Sequence, residues 1–292
     1  MMTAVLLLLT TGLIWGVVGV LFGRAPQDKN KLCSWFALNA VVFTSFVLLT
    51  QTPAPAPGRE ILRLSYYIVP SAFLEIAAFL LLKLAMNRGS QGIAWCVMQS
   101  AMIVPFLGSL LLLNNTASLW QWLGITLIIG SLVAFGITKH SAGGSRQSDS
   151  TFFRYVFTAF ALVGAAQFLR VIPGSAGFSA ETLSWRLLLQ TPCGLLFWFG
   201  ACCKNRSFQP RAIWKQSLLY GTVTALGQTA FYISTDAADR IKLTSIIYPI
   251  SLGTCIAFFS LYCFFIRKEQ VSKLSWVATA ATIAGIAFMA VR

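Results

Sequence analysis

Between Tyr66 and Ala85 one carboxylate, Glu75, lies in an apolar stretch of membrane length, with no other charge within seven positions. A charge at mid-membrane costs roughly 2.5–3.5 kcal/mol on insertion scales, so such a group defaults to function. Glu75 could exchange a proton or meet a cationic or hydroxyl-bearing ligand. Alternatively it is a structural carboxyl, hydrogen-bonded to a neighbouring helix. The next apolar run, Ile93–Leu113, adds Trp95, Gln99 and Pro105. Gln228 falls near the position that repeats Glu75 in the second half of the chain. With Gln99, Gln167, Gln190 and Asn39 it forms a set of intrahelical amides. Amides of this kind bridge helices or, taken together, suit a neutral polyhydroxylated ligand. Trp15, Trp95, Tyr232 and Tyr248 could stack on a sugar or organic ring. Arg186 could bind an anionic group, pair with Glu75 or reach to the interface. Lys83 is expected to snorkel to the membrane surface.

Other chemistries lack their material. Of the 292 residues 57% are hydrophobic and 10% charged, against about a quarter charged in soluble domains. The net charge of +14 sits in short loops, as in polytopic membrane proteins, so nucleic acid is not the implied partner. Seven cysteines are scattered without metal spacing or a disulfide framework. The single histidine, His140, reads as a loop residue. No nucleotide-binding loop occurs, so no cofactor and no metal is expected, and no enzymatic cluster of His, Asp or Glu is evident. Met1–Phe22 lacks a basic leader and reads as a retained first helix.

A helix needs about 20 apolar residues to span a bilayer. Ten such runs occur, at 3–23, 32–50, 64–85, 91–113, 118–138, 152–172, 181–202, 212–235, 241–265 and 272–291. The hydrophilic stretch 139–151 divides them into a first set of five (1–138) and a second (152–292). Ser34-Trp35 opens the second run as Ser184-Trp185 opens the seventh. Trp122 and Trp276 similarly lead the fifth and tenth. Five is odd, so the second set enters the membrane inverted, the plan of many secondary transporters. Fourteen Lys and Arg follow the odd-numbered runs and six, Arg170 among them, lie on the opposite side. The positive-inside rule therefore puts the odd loops in the cytoplasm and both termini outside. Gly12, Gly16, Gly19 and Gly23 predict close packing of the first helix, and Pro105 and Pro249 predict kinks in the fourth and ninth. Trp35, Trp120, Trp122, Trp185 and Trp276 suit an interfacial belt, and Asp236 and Asp239 a solvated loop.

The C-terminal third carries Gly227-Gln228 followed by Phe231-Tyr232, then a basic turn, Tyr248-Pro249, and Arg267-Lys268-Glu269 ahead of Trp276. In that order they resemble the EamA-like, ten-helix branch of the drug/metabolite transporter superfamily. Ser34-Trp35 and Gly89-Ser90-Gln91-Gly92 are similar to bacterial sugar members such as rhamnose–proton symporters. The resemblance implies alternating access between two five-helix bundles, with helices 3, 4, 8 and 9 lining the cavity. The short termini and the nearly uncharged loop after helix 2 depart from the commoner exporters.

The expected protein is thus all-α and polytopic, ten transmembrane helices in two inverted five-helix repeats. It is read as a multi-pass protein of the inner (plasma) membrane and a secondary transporter of a small polar metabolite, a sugar first, with proton coupling through Glu75. Its partners are the bilayer and a small-molecule substrate, with a homodimer open. An exporter of amino acids or other small organic compounds is the alternative, and a non-transporting scaffold the second. The expected substrate contacts are Glu75, Gln99, Trp95, Gln228, Tyr232, Tyr248, Trp15 and Arg186.

Overall fold

The computed structural model describes residues 2–112, 117–141, 150–205, 208, 210–240, 247–269, 271–289 and 291. These hold twelve α-helices and no strand: α1 (Met2–Gly23), α2 (Lys29–Thr50), α3 (Gly58–Met86), α4 (Gln91–Gln99), α5 (Ile103–Leu112), α6 (Leu119–Ser141), α7 (Ser150–Ser175), α8 (Ala180–Leu183), α9 (Arg186–Asn205), α10 (Trp214–Arg240), α11 (Ile247–Leu261) and α12 (Lys273–Met289). They trace ten segments in the anticipated order, because α4 with α5 and α8 with α9 each make one broken segment. Seven segments are long and apolar enough to cross a membrane, so the chain is a multi-pass membrane protein by length and composition. The described apolar parts of α6 and α12, Leu119–Phe135 and Lys273–Met289, are shorter. The segment α10 falls outside both groups because its interior is polar, with Thr222, Thr224, Gln228 and Thr229.

Local chemistry explains the breaks. Pro105 has no N–H for the carbonyl of Ala101, and the chain tightens to a 3-10 turn at Ser100–Met102 between α4 and α5. Pro249 is the third described residue of α11, and the preceding turn, where its expected kink would lie, falls outside the described residues. That segment deforms at its other end, where Tyr262–Ile266 is π-helical. Asp28 caps α2 by accepting from the Lys31 N–H at 2.9 Å. His140 and the 236–240 stretch continue α6 and α10 as helix rather than loop; their side chains lie outside the described residues, as does most of the 139–151 linker.

Packing follows the small residues. A Cβ at Gly19 would lie 2.9 Å from the Phe259 ring and 3.0 Å from Trp95, so the glycine row of α1 seats against α11 as its spacing predicted. The pairings are α3 with α7 and α1 with α10; α4 and α5 with α7 and α1 with α11; α3 with α9 and α2 with α10; α2 with α9; and α6 with α12. In the last pair the helices touch backbone to backbone. A Cβ on Gly285 would sit 2.7 Å from the carbonyl oxygen of Gly124, and Ser131 and Thr282 share a 2.6 Å hydrogen bond there.

One tryptophan expectation is corrected. Trp35 is not interfacial but 1% exposed, packed on Phe22, Phe36 and Tyr220. Trp120, Trp122 and Trp276 are exposed at helix ends as expected, and Trp185, half-buried just before α9, ties its indole N–H to the Ala54 carbonyl at 3.0 Å.

Candidate functional site

Glu75 faces a cavity of about 160 Å³, lined by α1, α2, α3, α9 and α10. A water needs roughly 10–15 Å³ on that measure, so the space holds on the order of ten waters. Trp15, Phe36, Phe43, Phe79, Trp198 and Tyr220 supply aromatic wall, and Asn39, Gln190, Thr191, Thr224 and Gln228 supply neutral polar groups. A smaller lobe of about 50 Å³ adjoins it, reaching α4, α7 and α11 through Gln99, Gln167, Arg170 and Tyr248, with Phe231 of α10 beside them. Trp15, Glu75, Phe79 and Gln228 line both lobes.

The partner of Glu75 is Arg170 on α7. Its Nη1 donates to Glu75 Oε1 at 3.1 Å and its Nη2 to Oε2, while Nε donates to Ser71 Oγ at 3.3 Å. The Arg170 side chain is 9% exposed and that of Glu75 30%, so the arginine is sealed in protein and the carboxylate keeps a face on the cavity. The assignment of Arg170 to a loop is therefore corrected: α7 runs past it to Ser175. A planar fork on a carboxylate makes the strong, geometrically defined form of an ion pair, and here it joins the two halves of the chain.

The expected contacts divide. Glu75, Trp15 and Gln228 line both lobes, and Gln99 and Tyr248 the smaller one. Trp95 does not line the cavity. It is fully buried, held between Phe22, Phe79 and Phe259 with its indole N–H on Cys255 Sγ at 3.3 Å. Tyr232 stands behind the wall, its hydroxyl accepting from Gln190 Nε2 at 3.0 Å. The Arg186 guanidinium stacks over the Tyr232 ring, 4.5 Å from its centroid, and donates to the Leu183 carbonyl. The role of forked partner to Glu75 belongs to Arg170.

Lys83 does not snorkel. It is 1% exposed, and its ammonium donates to the carbonyls of Phe22 and Gly23 at 3.4 and 3.3 Å. A cation at a helix C-terminus meets the negative end of its dipole, so Lys83 is a cap for α1. This end of the molecule also joins the halves. Glu269 Oε2 accepts from Ser90 Oγ at 2.7 Å and from the Gly92 N–H at 3.2 Å, and Arg267 donates to Gln91 Oε1. At the other end Ala54 N–H donates to Ser184 Oγ at 3.1 Å, and Thr182 Oγ1 to Glu60 Oε2 at 2.6 Å.

Sequence reasoning missed Arg170 and the aromatic wall of Phe36, Phe43, Phe79, Trp198 and Tyr220. The arginine was visible as an ionisable residue inside a counted run. Nothing in the sequence distinguishes those aromatics from the lipid-facing ones.

No family profile matches the chain. It is similar to an uncharacterised protein of Methanocaldococcus jannaschii, 29% identical over 139 residues, an alignment that takes in 98% of that protein and 47% of this chain.

Proposed function

We propose that this protein is a secondary transporter of a small polar metabolite, a monosaccharide or polyol, working by alternating access between two inverted five-helix repeats. The carrying observation is a cavity lined from both halves of a helical membrane protein, around one ion-paired carboxylate and neutral amides. The Glu75–Arg170 pair leaves no net charge at the site, which suits a neutral ligand. Gln190 and Gln228 offer hydrogen bonds to hydroxyls, and the aromatic wall suits the apolar face of a ring.

The repeat reading, 1–138 and 152–292, draws support from the helix pairings. Exchanging each segment for its counterpart five later turns α3–α7 into α10–α1, α4/α5–α7 into α11–α1, and α3–α9 into α10–α2, all of which occur. It leaves α2–α9 and α6–α12 unchanged. A relative about half as long, matched along almost all its length, is also what a duplicated unit would have. The likeness to EamA-type transporters, residence in the plasma membrane and absence of catalysis belong to the same reading.

One observation favours amino acids as a second reading. Opposite charges at one point could receive the ammonium and carboxylate of a zwitterion. Uptake into proteoliposomes of labelled hexoses, pentoses, myo-inositol and amino acids separates the two. Saturable uptake of a sugar or polyol is expected; transport of amino acids alone overturns it.

A further inference from the structure

Resting on the transporter reading, we propose that Glu269 is the latch of the face that carries the odd-numbered loops. Its carboxylate ties the two halves together there, and cargo crosses that face only when the tie releases. Alternating access closes one end of the cavity while the other opens. Packing marks the route from Glu75 to the odd-loop face. Phe79 lines the cavity and packs on Phe22 and Trp95, with ring centroids 5.4 and 6.4 Å away. Beyond Phe22, the Gly23 carbonyl accepts from Gln91 Nε2 at 3.3 Å. There the stretch Tyr262–Glu269 of the second half closes over the first.

Polar groups make the ties. Glu269 Oε2 sits at the N-terminus of α4, accepting from the Ser90 hydroxyl and the Gly92 N–H. Its charge meets the positive end of the helix dipole. Arg267 donates to Gln91, and the Tyr262 hydroxyl accepts from Arg24 at 3.1 Å. Water replaces such partners when they part, so each tie holds by a modest margin. The backbone of the same stretch is irregular. Tyr262–Ile266 is a π-turn, with the Arg267 N–H on the Tyr262 carbonyl at 3.0 Å. Lys268 holds a φ of 54°, a conformation rare for any residue but glycine. Turns of the π type recur at functional sites. This one joins α11, which lines the smaller lobe, to α12, which lines neither.

The test reads access to the cavity from each face. Ile76→Cys places a thiol on the wall of the larger lobe, in full-length protein in right-side-out and inverted membrane vesicles. Membrane-impermeant maleimides of either charge are added outside. Labelling at position 76 is read by mass spectrometry, so the native cysteines stay in place. Adding Glu269→Ala should speed labelling from the odd-loop face about 10-fold, the effect of losing one charge-assisted hydrogen bond. Labelling from the opposite face should not quicken. The converse variant is a lock. A Cβ on Gly92 would lie 3.2 Å from the Cys263 Cβ, so Gly92→Cys is placed for a disulfide between the halves. Once oxidised, it should abolish labelling from the odd-loop face, spare the opposite face and release on reduction. Where one variant does not fold or cross-link, the other decides. Labelling that quickens from both faces or from neither in Glu269→Ala, or a disulfide without effect on the odd-loop face, overturns the latch and leaves the transporter reading intact. With Glu269 and Gly92 unchanged, labelling of position 76 from fewer than both faces overturns alternating access itself.

Discussion

Arg170, near the end of α7, holds both carboxylate oxygens of Glu75 on α3 and gives its Nε–H to Ser71, one turn away from Glu75 on α3. The lone intramembrane carboxylate is therefore one half of a dipolar unit that spans the two halves of the chain. Its free face on the cavity is small, and its charge is matched.

Removing one member of such a pair strands the other. Losses of 3–5 kcal/mol are usual for fully buried pairs, and the partial exposure of Glu75 argues for about 3 kcal/mol here. Glu75→Gln and Arg170→Gln should each lower the thermal midpoint in detergent. The double variant should recover most of the loss, and strictly additive losses would show that the pair carries no coupling.

Under the proton-coupled reading, Glu75→Gln removes the one cavity carboxylate able to take up and release a proton. Proteoliposomes assayed below the midpoint of the variant should show substrate exchange but no accumulation driven by a pH gradient. Accumulation with its pH dependence intact would return Glu75 to a purely structural role.

Two glycines of one helix should respond in opposite directions. A Cβ at Gly124 meets the backbone of α12, whereas Gly130 has nothing within 4 Å. Gly124→Ala should destabilise by about 1–3 kcal/mol through overpacking. Gly130→Ala should stabilise by about 0.5–1 kcal/mol, because alanine loses less backbone freedom on folding. Thermal melts of the two variants side by side are the measurement.

Orientation follows from loop charge with one revision. Removing Arg170 from the loop tally leaves five basic residues on the even-loop side, Arg59, Arg63, Arg240, Lys242 and Arg292, against fourteen opposite. A reporter fused after Arg292 should behave as external and one within 142–149 as cytoplasmic; the reverse pattern would invert the assignment.

What could be read in advance was whatever depends on one segment alone. The order of ten helical segments, the glycine row of α1 and the break before Pro105 follow from local properties, and the structure shows each. Seven of the segments are long and apolar enough to cross a membrane. Glu75 stood out because an isolated charge needs no tertiary information to be conspicuous. Its partner did not, because the depth of Arg170 depends on where α7 ends, and that helix continues through Pro173. Lys83 and Trp35 were placed at interfaces by residue type, but the end of α1 and the Phe22–Tyr220 cluster draw them inward. Asn39 was legible as an amide within a helix. That both its polar atoms lack partners is a property of everything around it.

The α6–α12 contact has a consequence for motion. Helices whose backbones touch through Gly124 and Gly285, joined by Ser131 and Thr282, cannot slide or part without losing that close packing. Under the alternating-access reading, a movement that opens the region around Glu75 is expected to spare that line. The line would then act as an axle, and a small rotation about it would become a wide stroke in the helices farthest from it.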